Sequence, residues 1–115
     1  MVTIVKNRVA PDILVLKLGG RLCLGMASQE LQWQVEELLA KGEKKMVFDL
    51  TDLKYMDSTG LGIMIFCGGK LSESGGHLRV AGANAIILEI FKLTKVDRVL
   101  ELHNTVEEAA SSFGA

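Results

Sequence analysis

The side chains with the clearest chemical potential stand at four consecutive positions, 57–60, where the sequence is Asp-Ser-Thr-Gly. A segment that is apolar nearly all round follows, so Ser58 is expected at a helix N-terminus, on the edge of a sheet where parallel strands end. The first N–H groups of a helix have no intrahelical acceptor, and the helix dipole favours negative charge there. A phosphate on Ser58 would be accommodated and would add a charge of about −1.5 to −2 beside Asp57. The pattern is compatible with a charge-based switch at Ser58.

Two other interpretations of this turn compete with a switch. Asp57 and Ser58 belong to the commonest helix N-caps, so the turn could serve structure alone. Ser58 could also be a nucleophile, which would need a base within hydrogen-bond reach. His77 begins a predicted strand and is expected at the opposite edge of the sheet, while His103 follows the last strand and could lie nearer. Because no Gly-x-Ser-x-Gly elbow is present either, we expect no catalytic residue and no enzyme activity.

Strand and helix patterns alternate along the chain. Strands are predicted over 2–9, 13–18, 46–50, 77–80 and 99–102, and helices over 28–41, 58–72, 85–94 and 106–113. The first two strands flank the only proline and should form a hairpin, with Gly19 and Gly20 ending the second. Residues 51–56 fit either a loop or a short extended piece. The order predicts one α/β domain over residues 1–115, with a mostly parallel mixed sheet, an N-terminal hairpin and about four helices.

Several single residues carry local predictions within that order. Ser28, Asn84 and Thr105 are placed as helix N-caps, and Gly42 suits the position just after a helix. Trp33 lies roughly opposite the apolar stripe of its helix, so it either folds back over a loop or is an exposed contact.

Composition excludes several classes of function. The chain has 115 residues and a net charge of −1, so it lacks the basic bias of a nucleic-acid-binding protein. Its longest apolar segment, 61–67, is far shorter than the roughly 20 residues that span a bilayer, and no signal peptide is evident. We therefore expect a cytoplasmic protein without membrane insertion. Cys23 and Cys67 are expected to be buried reduced thiols, and no residue cluster has metal-ligand spacing, so no metal and no cofactor are predicted.

The run 47–62 resembles the signature of the STAS family, whose best-known members are the bacterial anti-sigma factor antagonists. Its sequence is Val-Phe-Asp-Leu-Thr-Asp-Leu-Lys-Tyr-Met-Asp-Ser-Thr-Gly-Leu-Gly. The resemblance extends over essentially the whole chain, since Gly-Arg-Leu at 20–22 matches the family's Gly-x-Leu, and 79–84 looks like its fourth strand and the turn after it. Ile87, Phe91 and Leu93 look like part of its third helix.

The resemblance implies a partner-switching cycle. The unphosphorylated antagonist binds an anti-sigma factor that is a serine kinase of the histidine-kinase-like ATPase type, and this frees the sigma factor for transcription. The kinase phosphorylates the serine matching Ser58, the complex dissociates, and a serine phosphatase resets the cycle. Register with the family favours Ser58 over Thr59 as the phosphate acceptor. The residues expected to contact the partner are Asp57, Thr59, Gly60, Leu61, Leu24 and Met26.

One departure from the family bears on this expectation. Many members follow Gly-x-Leu with Asp or Asn, where this chain has Cys23. Leu24 and Met26 in the same loop suit a hydrophobic contact with a partner, or they cap the core. The alternative function is an accessory or scaffold STAS subunit, in a stress-signalling assembly or a lipid or anion transporter, that works without a phosphorylation cycle.

Overall fold

The computed structural model describes residues 2–23 and 25–113. Within them the chain forms five strands, four helices and one short 3-10 turn. These are β1 (Val2–Ala10), β2 (Ile13–Leu22), α1 (Met26–Ala40), β3 (Lys45–Met56), α2 (Ser58–Glu73), β4 (His77–Ala81), α3 (Ala85–Leu93), the 3-10 turn Val96–Arg98, β5 (Glu101–His103) and α4 (Val106–Ser111).

The strands form one mixed sheet in the order β1-β2-β3-β4-β5. β1 is antiparallel to β2, and each later neighbouring pair is parallel. This confirms the predicted α/β class and the N-terminal hairpin. Parallel neighbours need crossovers, which the helices supply.

Alternation along the strands gives each face of the sheet its own core. Leu14, Leu16 and Leu18 of β2 face a large cluster that includes buried side chains of α1, α2 and α3. Ile13 and Val15, which alternate with them, face a smaller cluster closed by α4. Period-two patterning therefore assigns three helices to one face and one to the other.

Two strands run further than their sequence pattern predicted. β2 continues through its glycine pair to Leu22, and β3 continues to Met56, so residues 51–56 are extended. The two strands pair over their whole length, with irregularities on either side of Gly20. Gly20 has φ +86°, a conformation that glycine adopts without penalty. The two glycines therefore allow a local irregularity and do not end the strand.

The predicted N-cap at Ser28 is wrong. α1 begins at Met26, after Gly25, and none of the described side chains caps it. Ser28 lies inside the first turn and is 2% exposed. Its hydroxyl donates to the carbonyl oxygen of Cys23 at 2.7 Å, so it serves the loop before the helix. The residue type alone could not decide this, because a serine hydroxyl can either cap a helix or bond another nearby backbone group.

The other predicted capping signals are confirmed. Asn84 Oδ1 accepts from the Ile87 N–H at 2.9 Å, and Thr105 Oγ1 accepts from the Glu108 N–H at 3.1 Å. Gly42 directly follows the C-cap of α1, as predicted.

The C-terminal elements are shorter than predicted, and Trp33 is exposed. The last strand begins at Glu101, not at 99, because the N–H groups of Val99 and Leu100 both donate to the Val96 carbonyl oxygen and so continue the turn that starts with the 3-10 segment. α4 ends at Ser111. The indole of Trp33 is 54% exposed, so it does not fold back into the structure.

The two cysteines differ in environment. Cys67 lies in the main core and is fully buried, as predicted, whereas Cys23 is only half-buried. Burial, with a smaller contribution from the Glu36 carboxylate, raises the pKa of the Cys67 thiol to about 12. Cys67 therefore stays protonated across the ordinary pH range.

We expect the two thiols to react at very different rates. The thiolate is the nucleophile, and Cys67 forms it only when the core opens. Alkylation of the folded protein with iodoacetamide at pH 8 should modify Cys23, with Cys67 reacting at least about a hundredfold more slowly. In the Cys23→Ser variant, labelling of Cys67 should require denaturant. Rapid native labelling of that variant, followed by mass spectrometry, would contradict the packing described for Cys67.

Candidate functional site

The turn between β3 and α2 is anchored to the end of β2. The Asp57 N–H donates to the carbonyl oxygen of Leu22 at 3.2 Å. The Asp57 side chain caps α2, because its Oδ1 accepts from the Gly60 N–H at 2.9 Å. The turn is thus held to β2 by a backbone hydrogen bond and to α2 by a side-chain cap.

Gly60 allows the helix to begin in contact with β2. A Cβ at position 60 would lie 2.2 Å from the Leu22 carbonyl oxygen, closer than any side chain can approach. Gly60 is buried and Leu61 is 6% exposed in the main core. These two predicted contact residues therefore shape the backbone of the turn and expose little side chain.

The hydroxyl-bearing residues lie at the surface of the same turn. Ser58 is exposed and Thr59 is half-exposed, at the first two positions of α2. No acidic residue occupies the first turn of the helix itself. The N–H groups at these positions precede the intrahelical ladder, and together with the helix dipole they favour an anion beside Ser58.

The loop after β2 borders this turn. Leu22 pairs with Met56, so the loop starts where β3 ends. Cys23 is half-buried, and its carbonyl is held by the Ser28 hydroxyl. Met26 is 72% exposed. Leu24, the other predicted contact in this loop, lies outside the described residues.

Asn84 borders the turn from the opposite side of β3. Besides capping α3, its Nδ2 donates to the carbonyl oxygens of Leu53 at 3.2 Å and Lys54 at 3.4 Å. Sequence reasoning identified the cap and missed the second role. The capping signal is local, whereas contact with residues thirty positions earlier depends on how the strands pair.

Neither histidine stands beside Ser58. His77 begins β4 and pairs with Lys45 at the opposite edge of the sheet, as predicted. His103 lies on β5, two strands or roughly 10 Å across from β3, and its Nε2 is 2.9 Å from a Glu101 carboxylate oxygen. That hydrogen bond, together with the charge of Arg79, lowers the pKa of the Glu101 carboxyl. The geometry offers no base to activate Ser58 from either ring.

Two further tests concern the described part of the chain. Among residues 2–23 and 25–113, no group of three or more His, Cys, Asp or Glu side chains stands close enough to hold a metal ion. No helix described there has the length and apolar character needed to cross a membrane.

Residues 5–109 match the family model of the STAS domain. A Thermotoga maritima protein, provisionally named an anti-sigma factor antagonist, is 28% identical over 102 residues, which cover 89% of this chain and 90% of that protein. A Thermotoga maritima crystal structure with the same provisional name has a TM-score of 0.86 at 24% identity, covering 95% and 92% of the two chains. The Bacillus cell fate determinant SpoIIAA, solved in its phosphorylated form, has a TM-score of 0.75 at 18% identity, covering 97% and 100%. The fold is shared across all of them.

Alanine substitutions at Gly60 and Gly62 should act in opposite directions. Gly60→Ala forces a methyl group against the Leu22 carbonyl, so the free energy of unfolding should fall by about 2 kcal/mol or more. A Cβ at position 62 meets no described atom within 4 Å. Gly62→Ala should therefore raise stability by about 1 kcal/mol through helix propensity. Urea denaturation of both variants provides the measurement, and equal effects would contradict the close approach at Gly60.

Proposed function

The chain belongs to the STAS domain family, and from this premise we propose that it is an anti-sigma factor antagonist switched off by phosphorylation of Ser58. The observation that carries the proposal is an exposed serine at the first position of α2, directly after a capping Asp57. The name of the Thermotoga maritima relative and the phosphorylated form of SpoIIAA support it. In this proposal the chain carries the residue that is phosphorylated, and its partner is the kinase that transfers the phosphate.

In the unphosphorylated state, the turn offers a small, neutral hydroxyl on a fixed backbone. Asp57, Ser58 and Thr59 form the proposed contact with an anti-sigma factor serine kinase of the histidine-kinase-like ATPase type. Gly60 and Leu61 contribute by holding the backbone in place. Binding would release the sigma factor for transcription in the cytoplasm.

Phosphorylation would change the charge of this surface while leaving its fold intact. A phosphate adds about −1.5 to −2 charges, and the N-terminus of α2, where the helix dipole and the first N–H groups favour an anion, would tolerate them in the free protein. A partner packed on the turn would have to desolvate that charge next to Asp57, and unpaired buried charge costs several kcal/mol. The complex should therefore dissociate, and a serine phosphatase would restore binding.

The loop after β2 extends the proposed contact. Met26, where this loop enters α1, presents an exposed, flexible apolar side chain that suits a hydrophobic contact. Leu24 belongs to the same proposed region on sequence grounds.

Cys23 favours a second candidate function. The family pattern there is Asp or Asn, and a thiol is a poor replacement for either as a hydrogen-bonding partner. An accessory or scaffold STAS subunit would bind its partner through the same surface permanently, without phosphorylation. The two functions differ in whether the state of Ser58 alters binding.

The first test compares wild type, Ser58→Ala and Ser58→Asp as baits in extracts of the native host. Ser58→Ala should retain a kinase-type anti-sigma factor, because it keeps a small neutral group at the turn. Ser58→Asp should lose it by about tenfold or more, because the carboxylate partly mimics phosphate charge. Affinities are then measured with the purified partner.

Incubation with that partner and ATP locates the modified residue. Mass spectrometry should find phosphate on Ser58 of wild type and of Thr59→Ala, and none on Ser58→Ala. Equal recovery of a permease or transport ATPase by all three baits would refute the switch and support the permanent subunit.

A second test addresses the loop. Met26→Ala should weaken binding of the same purified partner about three- to tenfold, because alanine removes most of the apolar side chain that the partner would bury. Val9→Ala is the matched control, since Val9 is 44% exposed on β1 at the far end of the sheet. Titration calorimetry measures both variants, and equal affinities for the two would place Met26 outside the contact.

A further inference from the structure

Among the described residues, no strand pairs with the second half of β3 on the side of β4. β4 pairs with β3 only from Lys45 to Asp49, although β3 continues to Met56. On its other side, β2 accompanies β3 to its end. A β3 carbonyl that lies beyond Asp49 and faces the side of β4 must therefore find its donor in another group or in water.

Asn84 supplies a donor for two of these carbonyls. Its Nδ2 bonds the carbonyl oxygens of Leu53 and Lys54, the positions just before the Ser58 turn. The amide orientation is set by the cap, because Oδ1 must accept the Ile87 N–H and the NH₂ group then faces β3. One side chain thus replaces part of the missing sheet ladder.

The helix behind Asn84 is anchored in the main core. Asn84 caps α3, which is anchored by Ile87 and Phe91, both 0% exposed in the main core. The connection before it also lies against β3, since a Cβ on Gly82 would stand 2.6 Å from Thr51 Oγ1. The amide donors therefore extend from a fixed element onto the strand end.

We propose that Asn84 is a positioning residue for the Ser58 turn: it holds the end of β3 against α3, and thereby presents Ser58 to the partner. The consequence for binding and phosphorylation rests on the proposed function. The effect on the turn itself does not, since it concerns the free protein. Residues of this kind act by fixing geometry and touch no partner.

The deciding experiment measures amide hydrogen exchange by NMR in wild type, Asn84→Asp and Asn84→Ser. Both replacements are good N-caps, so α3 should persist, but an aspartate carboxylate cannot donate and a serine side chain is too short to reach β3. The bonded amides of Asp57, Gly60 and Leu61 should exchange about fivefold faster or more in both variants. The serine variant excludes an effect of added charge.

Thr105→Ala is the matched control, because it removes an N-cap from α4 on the other face of the sheet. It should lower overall stability without accelerating exchange at the Ser58 turn. Unchanged exchange in both Asn84 variants, or equal acceleration in the control, would overturn the positioning role.

The functional arm uses the purified anti-sigma kinase and ATP. The rate of Ser58 phosphorylation should fall about three- to tenfold in both Asn84 variants and stay at the wild-type value in Thr105→Ala. Faster exchange with unchanged phosphorylation and binding would overturn the claim that this positioning serves the switch. A wild-type protein that the kinase neither binds nor phosphorylates would refute the proposed function instead, while the exchange result would still decide whether Asn84 positions the turn.

Discussion

The site depends on the contact between the start of α2 and the carbonyl of Leu22. That oxygen accepts the Asp57 N–H, and the bare Cα of Gly60 packs directly over it. Any side chain at position 60 would force the helix away from the sheet. Because the helix starts there, Asp57 can cap it and Ser58 emerges at its first position, with Leu61 turned into the core. One close backbone approach therefore fixes both the packing of α2 and the exposure of the serine.

This contact exists only because β2 and β3 extend beyond the rest of the sheet. β4 ends at Ala81, opposite Asp49, and β1 accompanies β2 as far as Gly20. Among the described residues only the last pairs, Arg21–Tyr55 and Leu22–Met56, therefore form a two-stranded extension, and it carries the Ser58 turn outward. Such an extension is weak alone, since an isolated strand pair has little apolar surface to bury. It is reinforced by the buried Leu53 and Met56 underneath and by Asn84 at its free side. The exposed site is thus built on a supported projection.

Local signals predicted the parts of the structure that local physics determines. The apolar run that begins β2, the apolar face of α3 and the caps at Asn84 and Thr105 all follow from a few neighbouring residues. The predicted end of β2 was wrong. Gly19 and Gly20 are residues typical of a turn, but the strand continues through them because it stays paired with β3. The N-cap prediction at Ser28 was wrong for a related reason, since a serine can either cap a helix or form a buried hydrogen bond to a loop carbonyl.

The candidate site divides in the same way. The helix start at Asp57 could be predicted from residue types, but the burial of Leu61 and the second role of Asn84 could not, because both depend on elements distant in sequence.

Capping and switching at this turn need not be separate functions. A helix start that binds the Asp57 carboxylate supplies N–H groups and a dipole that also stabilise a phosphate one residue later. The free protein can therefore take up the new charge at little cost, whereas a complex that has excluded water from the turn cannot. The difference between these two costs is what would drive dissociation, and it requires no change of fold. It requires a rigid turn, since a mobile one could move the charge out of the interface, and under the proposed positioning role the contacts of Leu22, Gly60 and Asn84 would together provide that rigidity.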